Sequence, residues 1–165
     1  MSAILILGID PGLNNCGWGL VASEGSRLSH VAHGVIRPRA TAQLASRLAE
    51  LLEALGAVIA EHNPHEAAVE ETFVNSNARA ALTLGQARGV TLAAAARSGI
   101  VVAEYSPSTI KKAVVGSGAA DKTQIAFMVR RLLPTAGDVT ADAADALGVA
   151  LCHAAHCGFK RRAGG

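Results

Sequence analysis

Residues 3–10, AILILGID, form a leucine- and isoleucine-rich run that ends on a carboxylate and is broken at once by Pro11-Gly12. A short apolar run bounded by turn residues fits a buried strand followed by a turn. It has no basic leader, and Asp10 stops it well short of the roughly 20 apolar residues that span a bilayer, so neither a signal peptide nor a membrane anchor is expected here. Asp10 at the carboxyl end of such a strand stands where ligands gather in open α/β sheets. Taken alone, it serves equally well as a turn-initiating aspartate bonded to its own backbone.

The rest of the chain constrains what that strand can join. CGWGLVAS (16–23) and LSHVAHGVI (28–36) read as two more strands around the polar Gly25 stretch, which makes an antiparallel meander. Leu44, Leu48, Leu51, Leu52, Leu55 and Ile59 recur at helical spacing until Asn63-Pro64. AAVE (67–70) is a short fourth strand, Asn75–Arg97 an Ala- and Gly-rich helix, and IVVAEY (100–105) a fifth strand. Ser106-Pro107 opens a third helix, and Asp121 with Gln124 forms a variant capping box for a fourth. A last helix runs from about Thr140 into the Cys152–Cys157 region, with FKRRAGG (159–165) as a frayed basic tail. The order implies an α/β fold: a mixed five-stranded sheet flanked by helices, in one domain over residues 1–158.

Composition permits this. The chain has 165 residues, half of them hydrophobic, enough for one well-filled core. Abundant alanine and few aromatics point to closely approaching helices. A net charge of +2 does not by itself suggest nucleic acid. Lys111, Lys112, Lys122, Arg130, Arg131, Lys160, Arg161 and Arg162 nevertheless cluster in the last third, which ordinarily means a solvated basic face. Cys16, Cys152 and Cys157 show no disulfide-framework spacing and suggest a reducing cytoplasm.

The remaining carboxylates give Asp10 company. Glu70 and Glu71 end the fourth strand. Neighbouring strand residues point to opposite faces, so only one of them can easily share a site with Asp10, and the faint alternation of Ala67-Ala68-Val69 does not choose between them. Asp142 and Asp145, three apart, share one face at the start of the last helix, where negative charge is also favoured by the helix dipole. Carboxylates converging at one end of a sheet would raise one another's pKa. A hard divalent cation removes that penalty, and Mg²⁺ or Mn²⁺ suits oxygen ligands. Two such ions roughly 4 Å apart would serve an in-line phosphoryl displacement.

LGIDPGLNNCGWG (7–19), VEETF (69–73), LGQARG (84–89), IKKAVVGSGAADK (110–122) and ADAADAL (141–147) together resemble the RuvC family of Holliday junction resolvases, in order and spacing over residues 4–155. The resemblance implies a ribonuclease H-like fold and a homodimer with two active sites. Each site would nick one of two symmetry-related strands of a four-way DNA junction, leaving 5′-phosphate and 3′-hydroxyl ends, in company with the RuvA–RuvB branch-migration complex. By motif, Asp10, Glu70, Asp142 and Asp145 would hold the metals. Lys111 and Lys122 would stand near the scissile strand with Lys112 beside them, and Phe73 would act against the junction's bases.

Other features have plainer readings. Trp18 is expected in the core or on its flank. GSGAADKT (116–123) looks like a phosphate loop, but Asp121 stands where that motif needs its second glycine. Cys152, His153, His156 and Cys157 diverge around one helix and cannot surround a zinc without a ligand from elsewhere. His62 and His65 flank a helix end and are expected in solvent. The small-residue helix 75–97 could pack tightly inside the monomer or form a helix–helix dimer contact, and the resemblance favours the second. An actin-like ATPase shares the GID-x-G pattern but needs a second lobe. A ribonuclease H-like enzyme acting on RNA would lack the LGQARG and ADAADAL combination, and a junction binder without chemistry would not keep the full quartet.

Overall fold

The computed structural model describes residues 2–72 and 76–163. Strands β1 (Ile4–Asp10), β2 (Cys16–Glu24) and β3 (Arg27–Ile36) form the expected antiparallel meander. Its β2–β3 turn is made by Gly25 at φ 61°, a left-handed angle that suits glycine. β4 (Glu66–Glu70) and β5 (Val101–Tyr105) add in parallel to β1, and the sheet order is β3-β2-β1-β4-β5.

The sheet separates two cores. On one side, α1 (Leu44–His62) and α2 (Ala78–Arg97) cover Leu7, Ile9, Leu20 and Val69. Leu51, Leu55 and Ile59 of α1 are buried there, each contributing about 1.5–3 kcal/mol. Asn63 ends α1 in the left-handed conformation, its N–H bonded to Ile59 O, and Pro64 prevents continuation. On the other side, α3 (Pro107–Val115), α4 (Lys122–Leu132) and α5 (Ala141–Ala163) cover Ile6, Val21 and Ala68.

The caps are those read from the sequence. Ser106 Oγ accepts from Thr109 N–H, and Asp121 and Gln124 form the reciprocal capping box. α2 starts at Ala78 rather than Asn75, with Asn77 as its cap, and residues 73–75 lie outside those described. α5 carries helical backbone to Ala163, beyond the stop expected near Cys157. One side-chain expectation changes and another is refined. His62, at the end of α1, is half-buried, its ring 5.8 Å from that of Trp18 on β2. His65 is exposed as expected, but its Nδ1 accepts from Leu5 N–H and ties the start of β4 to β1.

Candidate active site

Strand register decides which carboxylates meet. Gly8 lies opposite Ala68 and Ile9 opposite Val69, so one step further Asp10 is level with Glu70. Ile6 and Ala68 face α5, whereas Leu7, Ile9 and Val69 face α1 and α2. By parity Asp10 and Glu70 both turn toward α5. Glu71 comes after the strand, with its N–H bonded to Tyr105 O at 2.8 Å.

Glycines let α5 approach the sheet. A Cβ on Gly8 would lie 2.1 Å from Ala146 O, one on Gly17 2.1 Å from Asp142 O, and one on Gly19 2.6 Å from Leu147 Cδ2. Only hydrogen fits at these positions, so the Ala-rich helix rests directly on β1 and β2. The close approach expected from the alanine content is thus between helix and sheet. It brings the first turns of α5 level with the carboxyl ends of β1 and β4. Thr140 Oγ1, which accepts from Ala143 N–H at 3.4 Å, helps start the helix.

Asp10, Glu70 and Asp145 line one cavity with Lys111, Lys122 and the apolar Ile110 and Ile125. Lys122 Nζ stands 3.7 Å from Asp145 Oδ2, the lysine exposed and the carboxylate largely covered. Asp10 feels the crowding most. Burial raises its pKa from 3.8 to about 8, and Glu70, Asp145 and Asp142 push the same way. Its hydrogen bond with Glu70 favours a protonated Asp10 donating to an ionised Glu70. Burial also raises Glu70, against the pull of that hydrogen bond and of Lys122 and Lys111. Asp145 is raised by burial and by Asp142, and is held back by Lys122 and Lys111.

Asp142 faces an adjoining pocket, shared with Gly12, Asn14, Asn15, Arg47 and Thr83, while its charge still reaches Asp10. Lys112 is exposed on α3 and does not line the Asp10 cavity. Phe73 lies outside the described residues. The stretch resembling a phosphate loop is a helix exit and entry: Gly116 caps α3 at φ 92°, and the Asp121 side chain is engaged in starting α4.

Sequence reasoning passed over Arg47. Its Nη2 donates to Leu13 O at 3.1 Å and to Asn14 Oδ1 at 2.7 Å, placing a guanidinium beside the loop after β1. No local signal marks it, since it reads as one polar position on an amphipathic helix. The glycines of the α5 groove were visible in LGID and CGWG but became meaningful only once paired with the helix they admit.

The metal-ligating donors at the cavity are all carboxylate, and burial raises Asp10, Glu70 and Asp145 together even with Lys111 and Lys122 beside them, so added positive charge would be favoured there. Hard divalent ions answer both conditions. Soft-ligand metals do not suit such donors.

The model of the family described as "Crossover junction endodeoxyribonuclease RuvC" matches residues 6–153. A protein of that description from Caulobacter vibrioides is 61% identical over 149 residues, covering 90% of this chain and 88% of that one. One from Hyphomonas neptunium is 53% identical over 161 residues, covering 98% and 96%. Among solved structures, Thermus thermophilus RuvC in complex with a Holliday junction substrate superposes with a TM-score of 0.88 at 31% identity, covering 95% of this chain and 96% of that one. The fold is ribonuclease H-like, and the five motifs quoted above fall within a likeness that spans nearly the whole sequence. On sequence and structure alike, the chain belongs to the RuvC family of crossover junction endodeoxyribonucleases.

Proposed function

We propose that this chain resolves four-way DNA junctions as a metal-dependent endonuclease, making paired symmetric nicks that leave 5′-phosphate and 3′-hydroxyl ends. The observation that carries the reading is the convergence of Asp10, Glu70 and Asp145 with Lys111 and Lys122 in one cavity at the carboxyl ends of β1 and β4. The relatives named for this activity, and the solved relative bound to a Holliday junction, support the choice of substrate.

In this reading Asp10, Glu70, Asp142 and Asp145 hold Mg²⁺ or Mn²⁺, two ions per site, which supply positive charge for the attacking and leaving oxygens of the phosphodiester. Glu70 and the aspartates fix where that charge can sit. Lys111 and Lys122 donate to phosphate oxygens as negative charge grows on them, and the nearby Asp145 carboxylate keeps Lys122 at the cavity mouth. Asp10, raised first by burial and then by the neighbouring carboxylates, would have to give up its proton to hold a cation. Lys112 on the exposed flank of α3 and Phe73 belong to the DNA-contacting surface.

The working unit is a homodimer with one site per protomer, formed through α2. That helix exposes Leu82 beside Ala78, Ala81 and Gly85. The nuclease domain covers residues 1–158, with 159–165 as a basic extension, and RuvA–RuvB supplies the junction. Thiols at Cys16, Cys152 and Cys157 suit the reducing cytoplasm in which such DNA lies. Among the described residues no helix is long and apolar enough to cross a membrane.

The test uses a synthetic four-way junction, end-labelled strand by strand and incubated with protein and Mg²⁺ or Mn²⁺. Paired nicks at symmetric positions, absent with chelator, are expected. Cleavage of RNA alone, or junction binding without cleavage, would overturn the proposal.

A further inference from the structure

A second cluster of ligand-type side chains occupies the opposite end of the same strand and helix. On β4, Glu66 shares a face with Glu70 four positions on, so roughly 13 Å separates them. α5 runs the other way across that face: Asp145 joins Glu70 in the catalytic cavity, and His153, two turns later, meets Glu66. His153 Nε2 lies 2.8 Å from Glu66 Oε2 and 3.4 Å from Cys157 Sγ. One donor atom from each of these residues lies within 4.8 Å of the others. The His153 side chain is 6% exposed.

The sequence alone argued against a metal among Cys152, His153, His156 and Cys157, because they diverge around α5. The structure divides them into two pairs at helical i, i+4 spacing. Cys152 and His156 turn away: Cys152 Sγ points to Thr109 O at 3.9 Å, and His156 Nδ1 donates to Cys152 O at 2.8 Å. His153 and Cys157 turn together toward β4, where Glu66 supplies the ligand from elsewhere that the helix lacked. Tyr105 Oη engages His153 Nδ1 at 2.9 Å, leaving Nε2 to face Glu66, while Cys157 Sγ lies over the ring, 3.4 Å from Nε2 and 3.8 Å from Nδ1. A hydrogen bond on the far ring nitrogen is the usual way a ligating histidine is oriented.

We propose that Glu66, His153 and Cys157 form a binding site for a borderline-soft divalent cation of the zinc class, with solvent completing the coordination. Carboxylate oxygen, imidazole nitrogen and thiolate sulfur together suit zinc and suit Mg²⁺ poorly. The two ends of α5 therefore differ in metal chemistry: oxygen donors at Asp145, mixed donors at Cys157. On binding, Cys157 loses its thiol proton to solvent, the sulfur and the carboxylate bond the ion, and no electron is transferred. The ion ties the start of β4 to α5 and stiffens the strand–helix pair that carries Glu70 and Asp145 at its other end.

Cobalt(II) tests this directly, because a thiolate ligand gives a near-ultraviolet charge-transfer band. Metal-stripped full-length protein is titrated with Co²⁺ alone, then with Zn²⁺ in competition, and its thermal midpoint is followed with and without Zn²⁺. The wild type should bind one equivalent with the thiolate band, lose that band to Zn²⁺, and gain thermal stability with Zn²⁺. Cys157→Ser should abolish both the band and the Zn²⁺-dependent stabilisation. Tyr105→Phe should keep the band but weaken binding by about tenfold, through loss of the orienting hydrogen bond. Cys152→Ser and Asp10→Asn should keep the thiolate band of the wild type. A wild type without the band would overturn the site and leave an ordinary Glu66–His153 hydrogen bond. A band that survives Cys157→Ser, or disappears with Cys152→Ser, would overturn it equally.

Discussion

Asp10 and Glu70 end neighbouring parallel strands one step beyond the Ile9–Val69 pair, face the same helix, and hydrogen-bond to each other through their side chains. Glu71, one residue past the strand, lines a neighbouring pocket with Asp10 and Glu70 but not the cavity that holds Asp145, Lys111 and Lys122. Glu70→Gln should therefore eliminate metal-dependent cleavage, since an amide binds Mg²⁺ or Mn²⁺ far less well than a carboxylate. Glu71→Gln should cut at close to the wild-type rate. Junction cleavage by both variants, with circular dichroism to verify folding, checks this. An active Glu70→Gln beside a dead, folded Glu71→Gln would contradict the register argument.

The same crowding should appear as pH-dependent stability. Asp10 has a folded pKa of about 8 against an ordinary 3.8, so between those values the folded chain holds a proton that the unfolded chain has released. Its contribution is greatest below the lower value and is lost as pH rises toward the upper one. Metal-free protein should melt lower at pH 8 than at pH 5, and Mg²⁺ or Mn²⁺ should restore stability mostly at the higher pH. Asp10→Asn should melt higher than wild type at pH 8 without metal while losing cleavage. Melting curves with and without chelator decide it. A metal-free midpoint that does not fall across this range would refute the assignment.

Lys122 is exposed and holds Asp145 at 3.7 Å, so the pair adds little to stability. Its role lies with the phosphate. Lys122→Ala and Lys111→Ala should leave the melting midpoint and junction affinity nearly unchanged but lower the single-turnover rate by about 10²-fold or more. Lys112→Ala, on the exposed flank of α3, should instead weaken binding modestly and reduce its salt dependence. Rates at saturating protein separate these effects, and unchanged rates for Lys111 and Lys122 would reduce both to surface charge.

How much of this was legible beforehand depends on the range of the signal. Strand runs, the α1 leucine stripe, the Ser106 cap and the Asp121–Gln124 box are local patterns, and each element appears where they placed it. The choice between Glu70 and Glu71 was not local. It follows from the pairing of β4 with β1, and sequence reached it only through the motif match. Arg47 and Glu66 escaped notice for the same reason: each matters through a partner, Asn14 or His153, that only the fold brings close. His62 was assigned to solvent because nothing in Asn63-Pro64 shows that Trp18 lies beneath it.

The exposed face of α2 gives a test of assembly. Leu82 is 66% exposed and lies beside Ala78, Ala81 and Gly85, a small apolar surface that permits close approach of a second copy. Leu82→Glu should shift a dimer toward monomer without unfolding it, by placing an unpaired charge in the contact. Sedimentation at micromolar protein should show this, and single nicks should replace paired ones. A dimer that survives the substitution would move the interface elsewhere.

The glycines beneath α5 allow the last test, because two Gly→Ala changes should have opposite signs. At Gly8 a methyl group would meet Ala146 O at 2.1 Å and Ala150 N at 2.6 Å, backbone atoms that cannot move without lifting the helix. Overpacking of this kind costs about 1–3 kcal/mol or more. It also acts on chemistry, since lifting α5 withdraws Asp145 from Asp10 and Glu70. Gly56 lies within α1, where the nearest atom to an added methyl is Arg97 Nη2 at an ordinary 3.8 Å. There alanine should stabilise by about 0.5–1 kcal/mol through better helix propensity. Urea unfolding of Gly8→Ala and Gly56→Ala should therefore shift in opposite directions, with junction cleavage impaired only in the first. If Gly8→Ala matched the wild type in both stability and cleavage, α5 would not rest on β1 as closely as described, and the positioning of Asp145 would need another cause.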